Sequence, residues 1–359
     1  MKKVKRNQRA FRHVPWVLML ASVPSLAAIF ELPPEGIDVI GSAGTVIARN
    51  EDTLVDIARE HGFGYEDMLR ANPGVNPWLP GEGTEIVLPG RFVLPAVART
   101  GIVLNIAEYR MYYYPPPRKG ERPVVMTFPV SIGRQDWATP IGVTRVVEKA
   151  RNPIWYPPQS VLDEHEADGR PLARVVPPGP DNPLGSRKMR LGLPGYLIHG
   201  TNRPAGVGMQ VTHGCVRMFP EDIEFLFDLV PVGTTVRIIN EPVKIGWDGD
   251  SLVMEVHPVL VSNPAATTDV PVQGASPDAA DAAAAAVVAG APAAEGGTDF
   301  AAPAKDPLTY ATEQFIVATA ERNGELDWTL VEAAIARSDG MPVVVGEGTK
   351  NAATSAASE

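Results

Sequence analysis

With 36 prolines and 33 glycines in 359 residues, this chain is punctuated too often for long regular elements. Proline fixes φ and removes a backbone donor, and glycine costs entropy inside helices and strands. A chain of this kind is expected to be rich in short strands and loops. Its length allows two domains and a tail. The net charge of −10 argues against a nucleic-acid partner, because no basic face large enough to displace counterions remains once the N-terminus is set aside. That N-terminus carries Lys2, Lys3, Lys5, Arg6, Arg9 and Arg12, followed by an apolar stretch over 14–30 broken by Pro15 and Pro24. The stretch is short for a membrane span, and Ser25 and Ala27 fit a signal-peptidase site after Ala27. Residues 1–27 therefore read as a signal peptide and place the protein on the outer side of a bacterial inner membrane. The alternative is an uncleaved anchor, the one case in which the chain would touch a membrane.

The first folded unit is read over 44–89 as strand, helix, helix, strand. Thr53 stands at the cap of the first helix, with Leu54, Ile57 and Ala58 at helical spacing and Gly62 as the stop. The second helix runs from Tyr65 to Asn72-Pro73-Gly74, and Glu85-Ile86-Val87-Leu88 closes the unit. The second unit, 100–240, is strand-rich. A hairpin is predicted from 102–106 to 111–114, with further strands at 124–132, 142–147, 196–198 and 234–239. Pro220, Glu221 and Asp222 open a helix that places Ile223, Leu226, Phe227 and Val230 on one face. The Pro-rich stretch 152–193 reads as an irregular insertion, a lid or cleft wall. Residues 264–306 are a low-complexity linker of Ala, Pro, Gly and Asp, and 307–359 a weakly helical tail.

The chemistry centres on Cys215, the lone cysteine, set in Thr212-His213-Gly214-Cys215-Val216-Arg217. An exported protein with one cysteine forms no internal disulfide, and an idle thiol in an oxidising compartment is a liability. Cys215 is therefore the candidate nucleophile. A free thiol is only a few per cent ionised at neutral pH, so an imidazole should accept its proton and hold the thiolate as an ion pair. His199 and His213 both qualify on residue type alone. Backbone N–H groups around Gly214 and Cys215 are the natural oxyanion donors, since glycine lets them converge.

His199, sixteen positions before Cys215, together with Thr-His-Gly-Cys-x-Arg, resembles the L,D-transpeptidase catalytic domain of the YkuD type. The resemblance extends through Gly133, Thr139-Pro140-Ile141-Gly142 and Pro194-Gly195-Tyr196-Leu197-Ile198-His199-Gly200. It implies a mostly β fold, an L,D-transpeptidase-like β-sandwich. It also implies that His199 is the base, oriented by the Gly200 carbonyl, while His213 shapes the cysteine turn. The 44–89 unit resembles a LysM module through Asp52-Thr53-Leu54-Val55-Asp56-Ile57-Ala58, Asn72-Pro73 and Ile86-Val87-Leu88-Pro89, which implies glycan binding. The combination is similar to the Gram-negative periplasmic branch of the family. Because the LysM-like unit holds no acid, base or nucleophile of the cysteine motif, its removal (residues 28–89) is expected to weaken wall binding and spare turnover.

The implied reaction is acyl transfer from a peptidoglycan stem tetrapeptide through a Cys215 thioester. The acceptor is a second stem, giving a 3→3 cross-link, or an outer-membrane lipoprotein; with water as acceptor the same site would be a carboxypeptidase or a lipoprotein-releasing hydrolase. Stems carry carboxylates, and Arg217 is the candidate cation, with a brace for the loop as its alternative role. Trp155 and Tyr156 are candidate cleft residues. Papain-like wall endopeptidases place Cys before His, and sortases lack His-Gly-Cys, so neither fits. No cofactor or metal is called for: the six histidines are scattered, and no pair with ligand spacing has a further partner beyond His213 and Cys215.

Overall fold

The computed structural model describes residues 28–260 and 305–349; the signal segment 1–27 and nearly all of the 264–306 linker fall outside the described residues. The N-terminal unit contains β1 (Ala28–Glu31), β2 (Val39–Gly41), β3 (Gly44–Ile47), α1 (Leu54–His61), α2 (Tyr65–Ala71), β4 (Glu85–Leu88) and β5 (Arg91–Val93). The central unit follows with β6 (Gly101–Asn105), β7 (Arg110–Tyr114), β8 (Val124–Pro129), β9 (Ile132–Gly133), β10 (Gly142–Arg151) and α3 (Gln159–Ala167). It continues through β11 (Arg187–Leu191), β12 (Leu197–His199), β13 (Gln210–Thr212), β14 (Val216–Arg217), α4 (Pro220–Leu229) and β15 (Thr235–Ile239). A third unit holds β16 (Val243–Asp248), β17 (Ser251–Val256), α5 (Pro307–Ala318), β18 (Gly324–Leu326), α6 (Trp328–Arg337) and β19 (Val343–Gly348). The protein is thus mostly β with short helices. Among the described residues no helix is long and apolar enough to cross a membrane.

The frame of the central unit is a nine-stranded sheet in the order β1-β8-β7-β6-β15-β10-β11-β12-β14. Phe128 from near one end and Val216 from the other share one core with Leu104, Met111, Val146, Met189 and Ile198, so the sheet curls around it. Helix α4 contributes Ile223, Leu226 and Phe227 to that core, the face its spacing predicted. Proline at its first turn fits a position whose N–H would have no partner in the helix.

Strands β6 and β7 are buried on both faces, and the alternation of side chains explains why. Ile102, Leu104, Met111 and Tyr113 face the curled core. Val103, Tyr112 and Tyr114 face the other way, into a second core with Leu54, Ile57, Met68 and Ile86 of the N-terminal unit. That unit is built as its sequence suggests. Thr53 and Asp56 form a reciprocal capping box on α1, and Gly62 ends the helix at φ +73°. Asn72 donates to the Met68 and Val87 carbonyls and accepts from the Val87 N–H, clamping α2 to β4.

Three expectations are corrected. The N-terminal unit is not an appendage: β1 is an edge strand paired to β8, and the Arg110 guanidinium meets Asp67 at 2.8 Å in a buried contact. Deleting 28–89 would strip that strand and uncover Val103, Tyr112 and Tyr114, so the unit is not structurally independent of the central sheet. The 152–193 insertion is not wholly irregular, since Arg187–Leu191 joins the sheet between β10 and β12. The described part of the 307–359 tail, 307–349, is more than weakly helical, since it forms strands as well as the two helices. Its strands complete a sheet, β16-β17-β19-β18, over a core of Trp247, Leu252, Met254, Val331 and Val345. Half of that core is supplied by 243–256, so neither half can bury its apolar face alone.

Candidate active site

Strands β12 and β14 run parallel, with Ile198 opposite Val216 and His199 opposite Arg217. Residues paired across neighbouring strands share a face, and so do residues two apart on one strand. His199 and Arg217 therefore project from the same side of the sheet, and Cys215 directly precedes β14, near enough for the Arg217 cation to act on its thiol. Cys215 is half-buried, and its thiol donates to the Gly195 carbonyl at 3.6 Å.

His199 is 5% exposed, and its Nδ1 lies 2.6 Å from the Gly200 carbonyl oxygen. A carbonyl can only accept, so Nδ1 carries the proton and Nε2 keeps a lone pair. That is the tautomer a base requires. Burial, joined by the nearby Arg217 cation, pushes the imidazole down to about 3 against the pull of the Gly200 bond. Burial likewise pushes the Cys215 thiol up to about 11, opposed by the Leu197 N–H and by Arg217. Both shifts favour the neutral thiol and the neutral imidazole over the ion pair expected from residue chemistry alone, because desolvation works against each charged form. Arg217 itself is lowered, first by burial and then by Arg203. Its buried Nε has no protein partner.

The turn carrying Cys215 is fixed from several sides. Thr212 Oγ1 donates to the Cys215 carbonyl at 2.6 Å. Thr139 Oγ1 accepts from the Gly133 N–H and donates to the Gly214 carbonyl, both at 2.9 Å. Gly214 sits at φ +93°, and a Cβ there would lie 2.8 Å from the Tyr196 ring. Glycine is required between His213 and Cys215 on both counts. Ser131 and Arg217 exchange backbone hydrogen bonds at 2.8 and 3.0 Å, tying β14 to the segment before β9.

His213 turns elsewhere. Its Nε2 lies 2.6 Å from Glu164 Oε2 on α3, and Trp137 meets its ring edge-on at 5.2 Å between centroids. The structure thus brings Cys215, His199, Gly200, Gly214 and Arg217 together and gives His213 a separate partner. Trp155 pairs with Val176 inside the insertion, and Tyr156 is 52% exposed. Among the described residues neither ring makes a hydrogen bond or ring contact with Cys215, His199 or Arg217. Glu164, Trp137 and Tyr196 were not singled out by sequence. Tyr196 lies within the 194–200 motif and Trp137 just before Thr139; nothing in the chain marks Glu164.

Ligand-type atoms of Glu108, Glu255 and His257 converge to within 4.8 Å of one another. Lys244 Nζ already lies 2.5 Å from Glu108 and 2.9 Å from Glu255, an ammonium where a cation would sit. The cluster is away from Cys215 and lies at the junction of the three units.

Residues 99–238 match the family model of the L,D-transpeptidase catalytic domain. The chain is 37% identical over 340 residues to the probable L,D-transpeptidase ErfK/SrfK of Escherichia coli, covering 93% of this chain and 96% of that protein. It is 42% identical over 252 residues to the probable L,D-transpeptidase YbiS of the same organism, covering 69% of this chain and 79% of that one. Among solved structures, L,D-transpeptidase 3 from Mycobacterium tuberculosis aligns with 57% of this chain and 93% of its own, at 20% identity and a TM-score of 0.30.

Proposed function

The chain belongs to the L,D-transpeptidase family and is an L,D-transpeptidase, and from that premise we propose how its residues divide the work. Cys215 is the nucleophile and His199 the base. The observation that carries this reading is the common face of His199 and Arg217 on β12 and β14, with Cys215 at the entry of β14 and the Gly200 carbonyl holding His199 Nδ1 so that Nε2 can accept. As Sγ attacks the carbonyl carbon before the terminal D-Ala of a stem tetrapeptide, its proton passes to His199 Nε2. Transfer accompanies attack, because neither group is ionised at rest. The N–H groups of Gly214 and Cys215 receive the oxyanion. The C–N bond then breaks, D-Ala leaves with the proton from His199, and a thioester remains. An acceptor amine attacks the thioester, gives its proton to His199, and the thiolate leaves and is reprotonated.

Arg217 offers a buried cation with an unpartnered Nε beside the thiol, suited to a stem carboxylate. The 44–89 unit would hold the enzyme on the glycan strand. Its firm seat on β6–β8 would fix the direction from which the stem reaches Cys215. The signal-like segment at 1–27 and this substrate place the enzyme in the periplasm. The amine of a second stem or a lysine of an outer-membrane lipoprotein would serve as acceptor.

The test is incubation of pure protein with disaccharide-tetrapeptides, read by mass. A cross-linked dimer, absent with Cys215→Ala, is the expected product. Tripeptide alone would make the enzyme a carboxypeptidase, and no product from the wild type would remove the stem as donor.

A further inference from the structure

Glu164 lies on α3, in the insertion, forty-nine residues before His213 in sequence. Both of its oxygens are engaged: Oε2 with His213 Nε2 at 2.6 Å and Oε1 with Arg134 Nη1 at 2.9 Å. Arg134 directly follows β9, and its N–H donates to the Thr212 carbonyl at 2.9 Å. The edge-on Trp137 packs against the same imidazole. Three stretches distant in sequence therefore meet on one ring: the exit of β9, the inserted helix, and the turn that presents Cys215.

We propose that Glu164 is a positioning residue for the transfer reaction, fixing the tautomer and plane of His213 and, with Arg134, fastening α3 beside the Cys215 turn. The proposal rests on Cys215 being the nucleophile. Hydrogen bonds from Arg134 and then His213 hold the Glu164 carboxyl down to about 2, so it is ionised at any working pH. An ionised carboxylate only accepts, which puts a proton on His213 Nε2. A carboxylate that fixes an imidazole's tautomer and direction is a known catalytic device. Here it acts one step further out, because His213 is joined through Gly214 to the nucleophile. The Gly214 carbonyl is held by Thr139 and its α-carbon faces Gly133, so a rotated His213 would be felt at the peptide preceding Cys215. The insertion thereby becomes part of the catalytic frame.

The test compares Glu164→Ala, Glu164→Gln and Glu164→Asp in the full chain, each alone and with His213→Gln. Tetrapeptide turnover, melting temperature and the rate of Cys215 alkylation are measured. Glu164→Ala is expected to lower kcat by about tenfold or more with a smaller change in KM, the scale of loss from a slightly misplaced reacting group. Glu164→Gln keeps an acceptor oxygen and should recover part of that loss. In the His213→Gln background the further loss should vanish, because the two residues act through one contact. Equal losses with and without His213 would overturn the proposal, as would wild-type kcat in Glu164→Ala. If Glu164→Ala fails to fold, the near-isosteric Glu164→Gln alone decides by the same criterion. Loss of the underlying reading is separate: it shows as turnover surviving in Cys215→Ala.

Discussion

Two of the clusters of buried ionisable side chains are treated in different ways. At the junction of the three units, Lys244 (1% exposed) sits between Glu108 and Glu255, and His257 Nε2 lies 2.7 Å from Glu255. Glu255 also accepts the Val93 N–H at 2.6 Å, so residues from all three units meet there. Burial alone would lower the Lys244 ammonium, but its two carboxylates outweigh that and raise it. Burial would raise Glu255, yet Lys244 and His257 hold it down to about 2. The charges persist because fixed partners face them. Among the described residues no carboxylate acts in that way on Cys215, His199 or Arg217. The thiol is pushed up, the His199 imidazole down and the Arg217 guanidinium down, each first by burial. The junction is held through Lys244, although Glu108 Oε1 and His257 Nδ1 have no hydrogen-bond partner and burial still raises the Glu108 carboxyl; the catalytic cluster has no such internal pairing among the described residues.

Two substitutions should separate the clusters cleanly. Cys215→Ala is expected to remove turnover entirely while leaving the urea midpoint near that of the wild type, since a half-buried thiol contributes little packing. His199→Ala should be nearly as damaging, because base and nucleophile act as one unit and their losses do not add. Lys244→Met should do the reverse. Leaving two buried carboxylates without their cation costs about 3–5 kcal/mol of stability. The fraction that remains folded should keep close to wild-type kcat. A stable Lys244→Met with a large fall in kcat would mean that the junction takes part in the reaction.

The sequence reveals the catalytic cluster and hides the junction for physical reasons. Cys215 and His199 are legible because thiol chemistry demands few residue types, at a spacing set by two adjacent strands. The β6–β7 hairpin and α4 are legible because their periodicity is local. Lys244 and Glu108 are 136 residues apart and meet across a boundary between units, with no local pattern to announce it. The third unit escapes notice because its two halves flank a low-complexity segment, and strands as short as Gly324–Leu326 look like loop until a partner is known. Glu164 is one of several acidic and polar residues on α3, and only the fold turns it toward His213. The charge state of the catalytic pair is hidden for a related reason: residue types give ordinary pKa values, and burial shifts them.

The smallest effect is the most specific, because it reads the uncompensated burial directly. His199 titrates near 3 in the folded protein, below its ordinary 6.5. Between those values the unfolded chain binds a proton that the folded one refuses. Stability must therefore fall as pH drops from 6.5 toward 3, and the contribution levels off below that. Glu255 acts in a lower window, from its ordinary 4.5 down to about 2, where its stabilising charge is lost. Urea unfolding at closely spaced pH values should show His199→Gln with a shallower decline than wild type between 6.5 and 4.5, and the two curves should run together near neutrality. Glu255 scarcely contributes across that span, so the difference belongs to the imidazole. On the alkaline side Cys215, near 11, should alkylate slowly at pH 7, where its thiolate fraction is on the order of 10⁻⁴, and speed up steadily to beyond pH 10. A plateau near pH 7 would instead mean that a thiolate–imidazolium pair already exists at rest. The contrast between the clusters would then collapse, since the active site would carry its own compensated charge before any substrate arrived.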